Sequence, residues 1–119
     1  MIKYHKIDSP DIIAELEMGM ATIASPGDML DIMGDIGYRG CSKLIVYSGD
    51  LSPDFFDLRT GLAGEVLQKF SNYRMRLAIV GDFSRLNSRS WRDFILESNR
   101  GRTVSFLPTL DAAISVLTQ

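Results

Sequence analysis

The chain has 119 residues, 45% of them hydrophobic and 24% charged, and a formal net charge of −2. That length suits one hydrophobic core, the composition is that of an ordinary globular chain, and no apolar run approaches the ~20 residues of a membrane-spanning helix. The net charge hides an asymmetry: residues 1–58 hold 4 Lys/Arg against 10 Asp/Glu, and residues 59–119 hold 9 against 5. The acidic half therefore lacks the basic surface that wholesale nucleic-acid binding requires.

Residues 2–7 read as a strand, and Asp8-Ser9-Pro10-Asp11 is a turn by composition. Residues 12–16 alternate apolar and polar side chains and read as a second strand, closing with the first into a hairpin. Residues 17–24 fit either an extension of that strand or a short third one. Ser25-Pro26-Gly27-Asp28 carries a cap, a proline suited to the first helical position and capping-box spacing. Met29, Ile32, Met33 and Ile36 then give one apolar helical face, which Gly37 or Gly40 ends. Residues 43–48 (KLIVYS) are a nearly continuous apolar run, as expected of a strand covered on both faces.

Ser52-Pro53-Asp54 starts a helical turn that leads into DLRTGLAGEVLQKF, residues 57–70, with a helix reaching about Tyr73. At about 100° per residue, Leu58, Leu62, Ala63, Val66, Leu67 and Phe70 fall on one half of the wheel. Thr60, Gly61, Gly64, Glu65, Gln68 and Asn72 occupy the other half. Both glycines thus lie away from the core stripe, where a helical glycine costs about 1 kcal/mol relative to alanine. Residues 76–83 (RLAIVGDF) are a second buried-strand run. Ser90-x-x-Asp93 is expected to cap a third helix with Trp91, Phe94, Ile95 and Ser98 on one face, ending at Gly101. Residues 103–107 form a last strand, and residues 111–117 a last helix carrying Ala112, Ala113, Val116 and Leu117. Strands alternating with helices in this way imply right-handed crossovers and a mainly parallel sheet.

The chemistry inventory is thin. His5 is the only histidine and Cys41 the only cysteine. The first reads as an exposed strand residue and the second as a small packed apolar one. No Cys/His cluster has metal-ligand spacing, and Asp28, Asp31 and Asp35 read as a solvated helix face rather than a magnesium site. Asp50 and Asp82 each follow a glycine at the carboxyl end of a parallel strand, where ligands of open α/β sheets gather. They form a candidate strand-end pocket, with turn or helix capping as the simpler reading. Arg85, Arg89 and Arg92 surround the start of the third helix and form a candidate anion-binding cluster. TGLAGE lacks the Gly-Lys-Ser/Thr ending of a phosphate loop. A lone cysteine and an N-terminus without a long apolar stretch fit a reducing, cytoplasmic setting without a signal peptide.

FFDLRTGLAGEVLQKFSNYRMRLAIVGDFS followed by SWRDFILESNRG resembles the small bacterial family catalogued as domain of unknown function 4180, which implies no established activity. More distantly, the element order resembles the STAS fold of anti-sigma-factor antagonists and sulfate-transporter tails. There a loop of the form Asp-Ser-x-Gly-Leu leads into a helix, and a serine or threonine at the helix start is phosphorylated. Asp57, Thr60, Gly61 and Leu62 sit in comparable places, although Leu58-Arg59 intervene between the acid and the hydroxyl. The ending FLPTLDAAISVL is similar to the STAS terminal strand and helix. This resemblance implies a phosphoacceptor role for Thr60.

The expectation is one STAS-like α/β domain over residues 1–119, of order ββαβαβαβα, with a mainly parallel sheet and an N-terminal antiparallel hairpin. Its expected function is that of a non-enzymatic regulatory or protein-interaction module without a cofactor or a metal. Its partner would be another protein or a second copy, met through Asp57, Thr60, Gly61, Gly64, Glu65 and Gln68. The alternatives are a small hydrolase or nucleotide- or phosphate-binding enzyme using Asp50 and Asp82, and a nucleic-acid accessory protein.

Overall fold

A computed structural model describes residues 2–6, 12–19 and 22–119. Its elements are β1 (Ile2–Lys6), β2 (Ile12–Leu16), α1 (Pro26–Tyr38), β3 (Lys43–Tyr47), α2 (Leu62–Asn72), β4 (Arg76–Val80), α3 (Arg89–Gly101), β5 (Val104–Leu107) and α4 (Leu110–Leu117). Three short 3₁₀ turns, Ser48–Asp50, Pro53–Phe56 and Leu58–Thr60, connect β3 to α2. The five strands lie in the order β1-β2-β3-β4-β5. β1 pairs antiparallel to β2, and β2 through β5 are parallel. The mixed α/β architecture and the antiparallel hairpin agree with the sequence expectation; the expected turn at residues 8–11 lies outside the described residues.

Each strand divides its side chains between two faces, as the period of two dictates. Ala14, Leu16, Leu44, Val46, Leu77, Ile79, Val104 and Phe106 point into one core, shared with Met29, Met33 and Ile36 of α1, Val66 and Phe70 of α2, and Trp91 of α3. The opposite face presents Ile13, Ile45, Ala78 and Val80, which α4 covers with Ala113 and Leu117. A fully buried side chain of this size contributes about 1.5–3 kcal/mol, so the larger core dominates the stability.

Helix ends follow local chemistry. Ser25 Oγ accepts from the Asp28 amide, and Asp28 Oδ2 accepts from the Ala24 amide, so the capping box forms. α3 is capped two residues before the expected Ser90: Ser88 Oγ accepts from the Trp91 amide, because Ser88 has the extended conformation a cap needs (φ −66°, ψ 154°). The long helix expected around residues 57–73 starts at Leu62, since Gly61 adopts φ +77° and separates it from the preceding 3₁₀ turn. Leu58 therefore packs from that turn rather than from the helix.

Two side chains fix the sheet's last strand and last helix. The Asn99 amide on α3 accepts from the Phe106 amide at 2.7 Å and donates to the Phe106 carbonyl at 3.3 Å, taking both backbone groups of that β5 residue. Arg76 of β4 donates to the carbonyls of Arg102, Val116 and Gln119, at 3.0–3.1 Å, and so ties the end of α3 and the end of α4 to the sheet.

Candidate functional site

The segment that enters α2 is built from a hydrogen-bonded turn. Asp57 accepts from the Arg59 amide at 3.1 Å and, with both carboxylate oxygens, from the Arg59 guanidinium at 3.0 and 2.9 Å. The Arg59 guanidinium and amide hold the exposed Asp57 carboxyl below its usual range. The Thr60 hydroxyl lies 2.7 Å from the Asp54 carbonyl and 2.8 Å from the Asp57 carbonyl; its one proton serves one of them at a time. Its oxygen accepts from the Leu62 amide at 3.2 Å, which satisfies one of the donors left open at the start of α2. Gly61 supplies the left-handed corner that lets the chain turn from the 3₁₀ segment into α2.

Beyond that corner, Gly64, Glu65 and Gln68 are exposed on the outer side of α2, while Leu62, Ala63, Val66 and Phe70 are buried. The structure thus brings Thr60, Gly61, Gly64, Glu65 and Gln68 onto one accessible stretch, with Asp57 just before it and engaged with Arg59. Gln68 is bonded to Asn72 one turn on, at 2.8 Å. Among the described residues a Cβ added to Gly64 would meet no atom within 4 Å. A shallow pocket of about 200 Å³ beside Thr60 is lined by Asp54, Glu65, Leu62 and the Ala24–Pro26 turn.

The strand-end residues are arranged differently. Asp50 is 1% exposed; its Oδ1 accepts from the Gly19 amide at 2.9 Å, and its backbone carbonyl accepts from the Ile23 amide. It pins the segment after β2 to the end of β3, and Oδ2 has no partner among the described residues. Asp82 is exposed and accepts from the Ser84 amide at 3.0 Å, which, followed by the nearby Arg85 charge, holds its carboxyl below the usual range. Asp82 and Arg85 line a pocket of about 200 Å³ with Ser48, Gly49, Phe56, Phe83 and Leu86; Asp50 is not part of that lining. A Cβ on Gly81 would run into the Ser48 side chain, so this glycine permits the close approach of the β3 and β4 ends. Arg89 lies 4.0 Å from Asp93 across one helical turn, and Arg92 is exposed on the same helix. Trp91, next to them, is buried and donates from Nε1 to the Phe56 carbonyl at 2.8 Å.

Sequence reasoning missed a polar cluster on the sheet. Glu15 of β2 accepts from the Tyr47 hydroxyl at 2.6 Å and is 2.7 Å from His5 Nε2, so three adjacent strands contribute to one network. Glu15 is only 7% exposed. Burial alone would raise its pKa, but the bonds from Tyr47 and His5 and the charge of Lys3 outweigh it and hold the carboxyl below its usual value. Burial and the Glu15 carboxylate push the Tyr47 phenol up to about 12. His5, expected to be an exposed strand residue, is half-buried in this network. The signal was present only in the pairing register, where Lys3 stands opposite Glu15 and His5 opposite Ile13. Cys41 is buried as expected, its thiol within 3.2 Å of the Ile12 carbonyl and 3.3 Å of the Lys43 carbonyl.

Among the described residues no group of three His, Cys, Asp or Glu side chains could hold a metal ion, and no helix is long and apolar enough to cross a membrane. The molecule is thus a mixed α/β protein with an antiparallel leading strand. The family described as "Domain of unknown function (DUF4180)" matches residues 9–117, and the chain belongs to it. No curated protein and no solved structure matches the chain.

Proposed function

We propose that the chain is a non-enzymatic protein-interaction module whose docking surface is the outer side of α2, from Thr60 to Gln68. One observation carries this reading. Gly64 weakens the first turn of α2, yet among the described residues no neighbouring atom requires the missing side chain. A flat, exposed helix wall of this kind is what a second backbone needs for close approach. The regulatory part rests on the resemblance of residues 57–62 to the STAS helix start. Phosphate on Thr60 would add about −1.5 to −2 charges at pH 7, beside Asp54 and Glu65. It would also remove the hydroxyl from its bonds to the Asp54 and Asp57 carbonyls. Both changes act on the turn that presents the docking surface.

The enzyme reading has less support, because Asp50 is committed to the Gly19 amide and Asp82 to the Ser84 amide, in separate surroundings. The test is crosslinking and affinity capture from native cells with wild type, Gly64→Ala and Gly64→Arg, each checked for folding by circular dichroism. The alanine variant keeps the wild-type partners and the arginine variant loses them. A folded arginine variant that captures the same set overturns the reading. Mass spectrometry of the wild-type protein from the same cells reports phosphate on Thr60.

A further inference from the structure

A cavity of about 650 Å³ lies at the opposite end of the sheet from the strand-end pocket, where β3 and β4 begin. Its volume falls in the range of about 300–1,000 Å³ typical of small-molecule sites. α1 contributes Met33, Gly34 and Gly37 to its wall, the turn before β3 contributes Cys41, and the end of α2 and the approach to β4 contribute Tyr73 and Met75. Among the described residues of the lining none carries a charge. A charged ligand would leave water here without a partner, which is costly.

The shape of the wall narrows the ligand further. Gly34 and Gly37 are one turn apart on α1, so the wall between them is bare backbone. A glycine inside a helix weakens it, and among the described residues a Cβ on either would meet no atom within 4 Å. Because both glycines line the cavity, a longer side chain at either position would narrow it. Met33 and Met75 are almost buried, at 4% and 8% exposure, and place thioethers in the wall, where sulfur favours contact with an aromatic ring. Tyr73, 63% exposed, stands at the mouth as a ring to stack against and a hydroxyl to bond a polar edge. The Cys41 thiol already has two backbone carbonyls within hydrogen-bond reach, so it contributes surface rather than reactivity.

We propose that this cavity binds a planar, uncharged aromatic small molecule, its face against the Gly34–Gly37 backbone and its edge toward the methionine sulfurs. The proposal is independent of the α2 docking surface. It is tested by titrating the full chain with Nile red, a neutral planar dye, and following fluorescence. Wild type shows saturable binding, and Gly34→Leu, which fills the cavity, weakens it by about tenfold or more. Leu96→Ala, exposed on α3 and outside both sites, leaves the titration unchanged. The Gly34→Leu variant melts no lower than wild type, because leucine favours the helix; a glycine required by the fold would give the reverse. If Gly34→Leu fails to fold, Gly37→Leu carries the same comparison. Naphthol displaces the dye and decanol does not. Absence of saturable binding to wild type, or equal binding by the folded Gly34→Leu or Gly37→Leu variant, overturns the site. Displacement by decanol and not by naphthol overturns the aromatic assignment.

Discussion

On the face covered by α1, α2 and α3 the strands present only apolar side chains, from Ala14 on β2 to Phe106 on β5. On the other face the same strands present Ile13, Ile45, Ala78 and Val80 under α4, but also Glu15 and Tyr47 toward β1. The first face is held by volume: any well-fitting apolar side chain serves, and a smaller one leaves a void. The second is held by partners, since a buried carboxylate is tolerated only while its hydrogen bonds persist. One sheet therefore carries two kinds of fragility, and they respond to different perturbations.

The comparison breaks most visibly on the apolar side. Phe70→Ala, at a side chain with no exposure, should lower the unfolding free energy by about 3–5 kcal/mol, measured by urea denaturation. On the partner side, Glu15→Ala leaves the Tyr47 hydroxyl and the His5 ring without their acceptor and should cost about 1–3 kcal/mol. The two sites also differ in their response to pH. The Glu15 carboxyl sits below its reference value of 4.5 in the folded protein, so its contribution is fully present above pH 4.5 and is lost as pH falls through the lower, folded value. Asp57 and Asp82 are shifted in the same direction from an ordinary value of 3.8, so wild type loses the Glu15 contribution below pH 4.5 and those of the two aspartates only below pH 3.8. Glu15→Gln should show a shallower loss than wild type, and Phe70→Ala should keep the wild-type slope. Identical acid profiles for wild type and Glu15→Gln would remove Glu15 from the account.

Arg76→Ala sharpens the comparison at the junction of α4 with the sheet. It frees the Val116 and Gln119 carbonyls and should cost about 1–2 kcal/mol, with faster hydrogen exchange in α4 than in α2. Smallest of all is Gly64→Ala, which should raise stability by about 0.5–1 kcal/mol, read as a higher thermal midpoint.

The apolar face was legible in the sequence, and the partner face was not. KLIVYS and RLAIVGDF announce buried strands because each holds an uninterrupted apolar run, LIVY and LAIV, that puts apolar side chains on both faces whichever way the strand is turned. The off-core placement of Gly64 was legible for a similar reason, since helical phase is local; Gly61 stands outside that phase, in the left-handed corner before α2. Glu15 was hidden because its meaning depends on which residues of β1 and β3 come beside it, and register is a property of the folded sheet. The start of α3 was misplaced by two residues because Ser88 and Ser90 offer the same chemistry, and only backbone conformation separates them. Asp50 and Asp82 were placed together by their common position after a strand. In the folded chain each is drawn to a different amide. The cavity beside α1 draws its walls from α1, the end of α2 and the starts of two strands, and no single stretch of sequence marks it.

Asn99 imposes a further limit. By occupying both backbone groups of Phe106 it acts as a false neighbour strand, and it stoppers one end of the ladder. A sheet stoppered at one end cannot be extended from both sides, so strand-to-strand assembly through it would terminate rather than propagate. Two copies joined at β1 would present only stoppered ends. Asn99→Ala would convert a terminating unit into one able to grow, a change that sedimentation velocity would register as species larger than any the wild type forms.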